Sequence, residues 1–509
     1  MQGENRNVIP SLAIGLVVAS LGPAQTPVHD RGPGELLPPQ LRQGPPAGGI
    51  DADLTVPAFL WAFHRDSLLP ESTRKAMPQA QLAAVVDALL AACRNADEEL
   101  RWQSLWSLAR IARLDAGTAS RVRTLIQEDK LLAGPGALAE VAAVAAGLAA
   151  RDDLAFLGSL AKLANDPKTP PRQRAFAFYG LGLAAGESTS AKTQFQVLTA
   201  VQRGLLPTSD TPMEVRVASL HALALTRIDE APNLPGPALA LLEAAWKDDS
   251  PPTPIDFVAN VPIAVAAMLK PDDLAAEPWR QRFAAAAQKR NRGRALPSSC
   301  VLALGALCRP WNQDPCPDAE HIALLCQLAK EARDLQQSYY AWFALGLVGG
   351  SKARADLIAG LQTHLINRPW LALGLAAIAA KATGRDAEIE QVLQTAQGKI
   401  RAPDFLEAFA NARRVAGRER DDDAVNAFRE RYQVLPPGDG DVDARIAHCL
   451  AKIADDKAPI EQRRLAAMAL GHFADTSPRH WSARLARAVD YRAGTVALLG
   501  PPNGVLRLP

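Results

Sequence analysis

From about residue 75 onward the chain repeats one arrangement of small and apolar positions, R-x-x-small-x-x-small-L-small. It is clearest at Arg101–Ala109 (RWQSLWSLA), Arg174–Gly182 (RAFAFYGLG), Arg216–Ala224 (RVASLHALA) and Arg463–Gly471 (RRLAAMALG). Two copies lack the Arg but keep the remainder, at Cys300–Gly305 (CVLALG) and Ala341–Gly346 (AWFALG), and a looser one runs Pro369–Gly374 (PWLALG). Small residues three apart fall on one face of a helix and let neighbouring backbones approach. Gly inside a helix costs about 1 kcal/mol relative to Ala, so its return at one place predicts close packing or a helix end there.

The intervals matter as much as the matches. From Gly182 to Ala224 is 42 residues, from Ala224 to Gly305 is 81, and from Gly305 to Gly346 is 41. A period near forty predicts a two-helix repeat, longer than ankyrin or tetratricopeptide units. The step of 28 from Gly346 to Gly374 breaks register. Partner helices are expected between the motifs at Gln81–Cys93, Leu138–Ala150, Pro237–Ala245 and Ile322–Ala332, bounded by Pro, Gly and Asp turns. The stretch 249–297 interrupts the rhythm, opening on Pro251-Pro252-Thr253-Pro254 and closing on the basic run Lys289–Arg294 (KRNRGR). That run reads either as a patch for phosphate or an acidic partner, or as a solvated turn.

Composition agrees with helix. The chain has 509 residues, is dominated by Ala and Leu, and carries only 5% aromatics. A net charge of +2 gives no general reason to expect nucleic acid or an anionic membrane as partner. At the N-terminus, Ser11–Leu21 is an uncharged apolar run after Arg6, with Gly22-Pro23-Ala24 behind it, so residues 1–24 are expected to be a signal peptide or short anchor. Residues 25–50 have linker composition, rich in Pro and Gly. Near the C-terminus, Thr495–Leu499 and Val505–Leu508 flank Gly500–Gly504, predicting a hairpin cap within 491–509.

The repeat resembles HEAT repeats, and most closely the short HEAT-like repeats of phycobilisome lyases, whose second helix carries a comparable V-R-x-x-A-x-x-A-L-G; Val215–Ala224 is the best match. The resemblance implies an all-α, right-handed α-solenoid (α-α superhelix) of about ten to eleven helix pairs over residues 51–490. It also implies that second helices line the concave face. On that basis a stripe of Trp102, Trp106, Tyr179, His221, Tyr339 and Phe343, with Arg101, Arg174 and Arg216, is a candidate partner-binding surface; an aromatic stripe at helical spacing is alternatively core.

Catalytic and metal chemistry leaves few traces in the sequence. His-Glu dipeptides, which HEAT-like iron hydroxylases use as ligands, do not occur, and His321 follows Glu320 in reversed order. Asp439, Asp441 and Asp443 alternate as at the start of a calcium loop, but Ala444 and Leu450 stand where Gly and Glu are needed, favouring helix capping. Gly180, Gly182 and Gly186 lie within a helical motif and not after a strand, so packing explains them better than a dinucleotide turn. No cofactor or metal is expected. If the chain is exported, Cys300 with Cys326 and Cys308 with Cys316 are disulfide candidates, since Cys300 and Cys308 are about 12 Å apart on one helix and cannot bridge each other. The expected function is a non-enzymatic scaffold for protein or peptide in the bacterial cell envelope. The alternatives are a lyase-like or other enzyme on a HEAT frame, and a DNA-binding HEAT-like module.

Overall fold

The computed structural model describes residues 77–474, with breaks at 135–136, 207–210, 227–234, 248–254, 290–294, 333, 382–385 and 399, and with only residues 409, 412, 413 and 416 described between 401 and 441. Every regular element among the described residues is helical. The expected hairpin cap, signal segment and linker lie outside them.

Helices alternate between an outer and an inner layer. The outer layer holds α1 (Gln79–Ala92), α3 (Ala116–Glu128), α5 (Leu154–Asn165), α7 (Ala191–Leu205) and α9 (Pro235–Trp246). It continues with α12 (Ala276–Ala287), α14 (Ala319–Glu331), α16 (Ser351–Thr363), α18 (Ala387–Gln397) and α19 (Val442–Ala454). The inner layer holds α2 (Glu98–Leu114), α4 (Ala137–Ala150), α6 (Pro171–Glu187), α8 (Met213–Leu225), the short α10 (Ile255–Val258) and α11 (Val261–Met268). It ends with α13 (Ala295–Leu307), α15 (Leu335–Val348), α17 (Arg368–Lys381) and α20 (Ile460–Ala474). Among the described residues, inner helices other than the short α10 pack on an outer partner, and successive inner helices from α2 to α17 pack on one another.

Start signals explain most boundaries. Asp97, Asp115, Asp153, Ser190 and Asp386 each accept a backbone N–H from the first turn of the helix they precede. Pro171 and Pro262 sit in first turns, where a missing N–H is harmless.

The motif's last position is the joint between repeats. A Cβ on Gly182 would lie 2.5 Å from the carbonyl of Ala222, and one on Gly305 would lie 2.5 Å from the carbonyl of Ala344. Ala222 and Ala344 are the seventh residues of the next copies. A Cβ on Gly147 would likewise strike the Gly180 carbonyl, and one on Gly346 the Gly374 carbonyl. These joints correct two expectations. Leu138–Ala150 is not an outer partner: Ala139–Gly147 is a further copy, and α4 is an inner helix packed between α2 and α6. The copy near residue 374 starts at Arg368, so Gly374 is its seventh residue and Ala376 its ninth, and the interval from Gly346 becomes 30.

The array also returns to its own start. Helix α20 packs along α2, and α19 touches α1. A Cβ on Gly471 would lie 2.5 Å from the Ser107 side chain, the same nine-to-seven contact used between successive repeats. Ser107 Oγ donates to the Ala467 carbonyl at 2.8 Å, and Gln81 Nε2 donates to Asp443 Oδ1 at 3.2 Å. Arg464 holds Asp97 with two hydrogen bonds, Nε to Oδ1 at 3.0 Å and Nη2 to Oδ2 at 2.6 Å.

Candidate functional site

The residues that carry the repeat are used inside the frame. Arg101 Nε donates to the Cys93 carbonyl at 3.2 Å, Arg174 Nε to Ala164 at 3.1 Å and Arg216 Nε to Leu205 at 3.2 Å. Arg463 Nε reaches Ile453 at 3.2 Å and Arg368 Nε reaches Leu361 at 2.9 Å. In the copy that ends at Gly346 and has Ser in place of Arg, Ser338 Oγ donates to the Ala329 carbonyl at 2.6 Å. Each of these carbonyls ends the outer helix that precedes the motif, where intrahelical partners run out. The motif Arg is therefore a C-terminal cap built into the following helix.

The aromatic stripe is likewise interior, which corrects its reading as an exposed surface. Trp102, Trp106, Tyr179, His221 and Phe343 are buried, as are Arg174 and Arg216. Every residue of α6 from Arg172 to Gly186 is buried, so no face of that helix stays open to carry a partner. His221 Nε2 lies 3.2 Å from Asn260 Oδ1, and the Arg216 guanidinium lies 4.1 Å above the Phe257 ring. Tyr339 is half-buried and stacks on Trp370 at 5.3 Å; burial pushes its hydroxyl above the ordinary range. Arg101 is half-buried.

All six cysteines are free thiols, so neither the Cys300–Cys326 nor the Cys308–Cys316 bond is present. Burial pushes the Cys93, Cys300 and Cys308 thiols well up, Cys449 to about 12 and Cys326 to about 11. Thiols so raised are poor nucleophiles. Cys300 sits in the packed core between inner helices, whereas Cys326 approaches Asp356 at 4.0 Å on the outer side.

Open, chemically varied surface gathers around α12, in the sector where the repeat lapses. Its sequence, AEPWRQRFAAAA, turns Trp279, Arg280 and Phe283 inward and leaves Arg282 toward the outside. At its N-terminal end lies a cleft of about 630 Å³ between the α11–α12 turn and the start of α14. Arg280 organises it: Nη1 donates to the carbonyls of Pro271 and Leu307, each at 2.8 Å, and Nη2 meets Glu277 at 2.8 Å. Asp318 stands at the N-cap position of α14, but its side chain caps nothing there. It accepts instead from Arg309 N at 2.7 Å, Nη2 at 2.6 Å and Nε at 3.1 Å. Burial raises the Asp318 carboxyl, but the bonds from Arg309 and the charge of Arg280 outweigh it and hold the group below the usual range. Burial likewise works against Glu277, and Arg280, Gln281 and His321 overcome it. With two guanidinium groups matched by Glu277 and Asp318, the lining carboxylates Asp272, Asp273 and Glu320 are left as acidic surplus. Leu274, 97% exposed, stands at the rim.

At the other end of α12 is a basic groove of about 300 Å³, lined by Trp246, Lys247, Arg282, Lys289 and Leu296. Its wall is an aromatic cluster, with Trp246 edge-on to Trp279 at 6.2 Å and to Phe283 at 5.7 Å. Arg282 lies 4.7 Å over the Trp279 ring and reaches Glu243 at 2.8 Å, while Lys247 reaches the same Glu243 at 3.1 Å. One helix thus separates a cleft that suits cations from a groove that suits anions.

The sequence flagged Lys289 through the basic run, whose remaining residues lie outside the described ones. It did not flag Arg280, Arg309 or Asp318, which come together from α12 and from the connection between α13 and α14. Among the described residues, no group of three or more His, Cys, Asp or Glu is placed to hold a metal ion, and no helix is long and apolar enough to cross a membrane.

No family model matches the chain, and no curated protein matches it. Among solved structures, an engineered protein from the Northeast Structural Genomics Consortium is similar over 77% of this chain and 98% of its own, at 14% identity and a TM-score of 0.29. Overlap at that level does not define a shared fold.

Proposed function

We propose that the chain is a non-enzymatic scaffold, a HEAT-like α-solenoid whose last pair docks on its first, and that it binds a protein partner through the sector around α12 in the bacterial cell envelope. One observation carries this reading. The repeat residues are consumed by internal caps and joints, while α12 presents two oppositely charged openings on a frame that holds them rigidly. Binding surfaces set on a fixed scaffold lose less freedom on association.

The test is affinity capture with the full chain from fractionated cells, followed by binding of the purified partner to wild type and to a variant in which Asp272, Asp273 and Glu320 become Asn, Asn and Gln, with Lys247 and Lys289 changed to Gln. A partner from the envelope fraction that binds saturably and is weakened by the substitutions supports the proposal. A partner bound equally well by the variant would place the working face elsewhere. Recovery of the chain in the cytoplasmic fraction would remove the envelope assignment.

A further inference from the structure

We infer that the groove between α9 and α12 takes an acidic peptide segment that carries one aromatic or aliphatic anchor, supplied by a partner protein. The inference rests on the protein-binding reading and gives that partner a chemistry.

Charge comes first. Lys247, Arg282 and Lys289 all line the groove, and Glu243 beside it is shared between Lys247 at 3.1 Å and Arg282 at 2.8 Å. Among the described residues, three lining cations against this one carboxylate leave a positive surplus. Both cations hold the Glu243 carboxyl below its ordinary range, Lys247 most strongly, so at neutral pH it is ionised and offsets one of the three lining cations.

The second feature is apolar. The floor is Ala285, Ala286 and Leu296, and the half-buried Trp246 forms one wall with its ring supported edge-on by Trp279 and Phe283. Small side chains on the floor leave space for a side chain from outside, and a ring fixed by two others offers a flat contact at little entropic cost. A purely electrostatic patch has no need of such a wall. Arg282, already stacked over Trp279 at 4.7 Å and braced by Glu243, is pre-organised to pair with a carboxylate.

Nucleic acid is the competing class of anion. It would need a track of many phosphate contacts and repeated stacking platforms. The groove is about 300 Å³, which fits a few residues of peptide.

The experiment uses the full chain and three fluorescently labelled probes: an acidic peptide of alternating Glu and Asp around a central Leu-Trp pair, the same peptide with Gln and Asn in place of the acids, and a single-stranded oligonucleotide of equal charge. Wild type should bind the acidic peptide saturably and the neutral one at least about tenfold more weakly, with affinity falling as salt rises. Lys247→Glu with Lys289→Glu should weaken the acidic peptide by about tenfold or more. Lys168→Glu with Lys192→Glu, the same charge change on exposed lysines elsewhere, should leave it within about twofold. Circular dichroism of each variant checks that folding is retained. Equal loss in both double variants would show bulk charge instead of the groove and overturn the proposal. Tighter binding of the oligonucleotide than the peptide would overturn it in favour of nucleic acid. Capture of the natural partner that survives Lys247→Glu with Lys289→Glu would overturn the groove assignment while leaving the scaffold reading in place.

Discussion

The seam between α20 and α2 joins residues about 360 apart in sequence, and the junction between α8 and α11 joins neighbours. Regularity runs the other way. The distant seam keeps the repeat's own joint, Gly471 on Ser107, and adds the Arg464–Asp97 pair, whereas at the near junction α11 is only 8 residues long and follows a broken 4-residue turn, α10. The difference teaches where the molecule keeps its stability and where it keeps its chemistry. Where inner backbones touch, the motif side chains are packed against neighbours; where the repeat lapses, α12 and the α13–α14 connection bring Arg280, Arg309 and Asp318 together and leave openings at both ends of α12.

The largest way to break that contrast is at an ordinary joint. Gly147→Ala drives a Cβ into the Gly180 backbone, where no flexible side chain can move aside, and should cost about 3 kcal/mol or more, seen as a lower urea midpoint. If the seam is a joint of the same kind, Gly471→Ala should follow at about 1–3 kcal/mol, since the first atoms met belong to the Ser107 side chain. A cost near zero would mean that α20 does not rest on α2.

A smaller effect sharpens the seam's electrostatic part. Asn can still cap α2 at position 97, so a double-mutant cycle of Asp97→Asn and Arg464→Gln isolates the ion pair, with an expected coupling of about 1 kcal/mol. Arg464 is the chief reason the Asp97 carboxyl lies below its ordinary range, with burial opposing and the Leu100 N–H assisting. A carboxyl depressed in the folded state stabilises fully above its unfolded value of about 3.9, and that contribution is lost as pH falls through the folded value. The stability difference between wild type and Asp97→Asn should therefore be constant above about pH 5 and shrink below about pH 4. The smallest effect is expected in the irregular sector. Leu274→Ser, at a side chain 97% exposed, should change stability by no more than about 0.5 kcal/mol.

The pairwise helical repeat was legible because its joints are chemical: Gly or Ala at position nine, Leu at eight, Arg at one. The copy in α4 escaped notice because its stripe is Ala142, Ala145 and Ala146 in a helix of Ala and Val, so the packing face does not stand out from the rest. Arg at position one is a surface candidate only through the implied concave face; its partner is a carbonyl on the preceding helix, which no local pattern reveals. The aromatic stripe leaves both surface and core open in the sequence for a related reason: inner helices such as α6 are covered on every side, so spacing alone cannot mark an exposed face. The seam left one trace, a Gly at position nine of the copy ending at Gly471, the position that in other copies meets the seventh residue of the next. The two openings at α12 left almost none, since their residues come from separate turns.

The return of the chain to its own start is best tested by a distance. Spin labels at the exposed positions Ala96 and Lys457, read by double electron–electron resonance on the full chain, should give a narrow distribution below about 35 Å. Ten helix pairs in an open array, at about 8–10 Å per pair, would instead separate these labels by more than about 60 Å, and a distribution centred there would contradict the account.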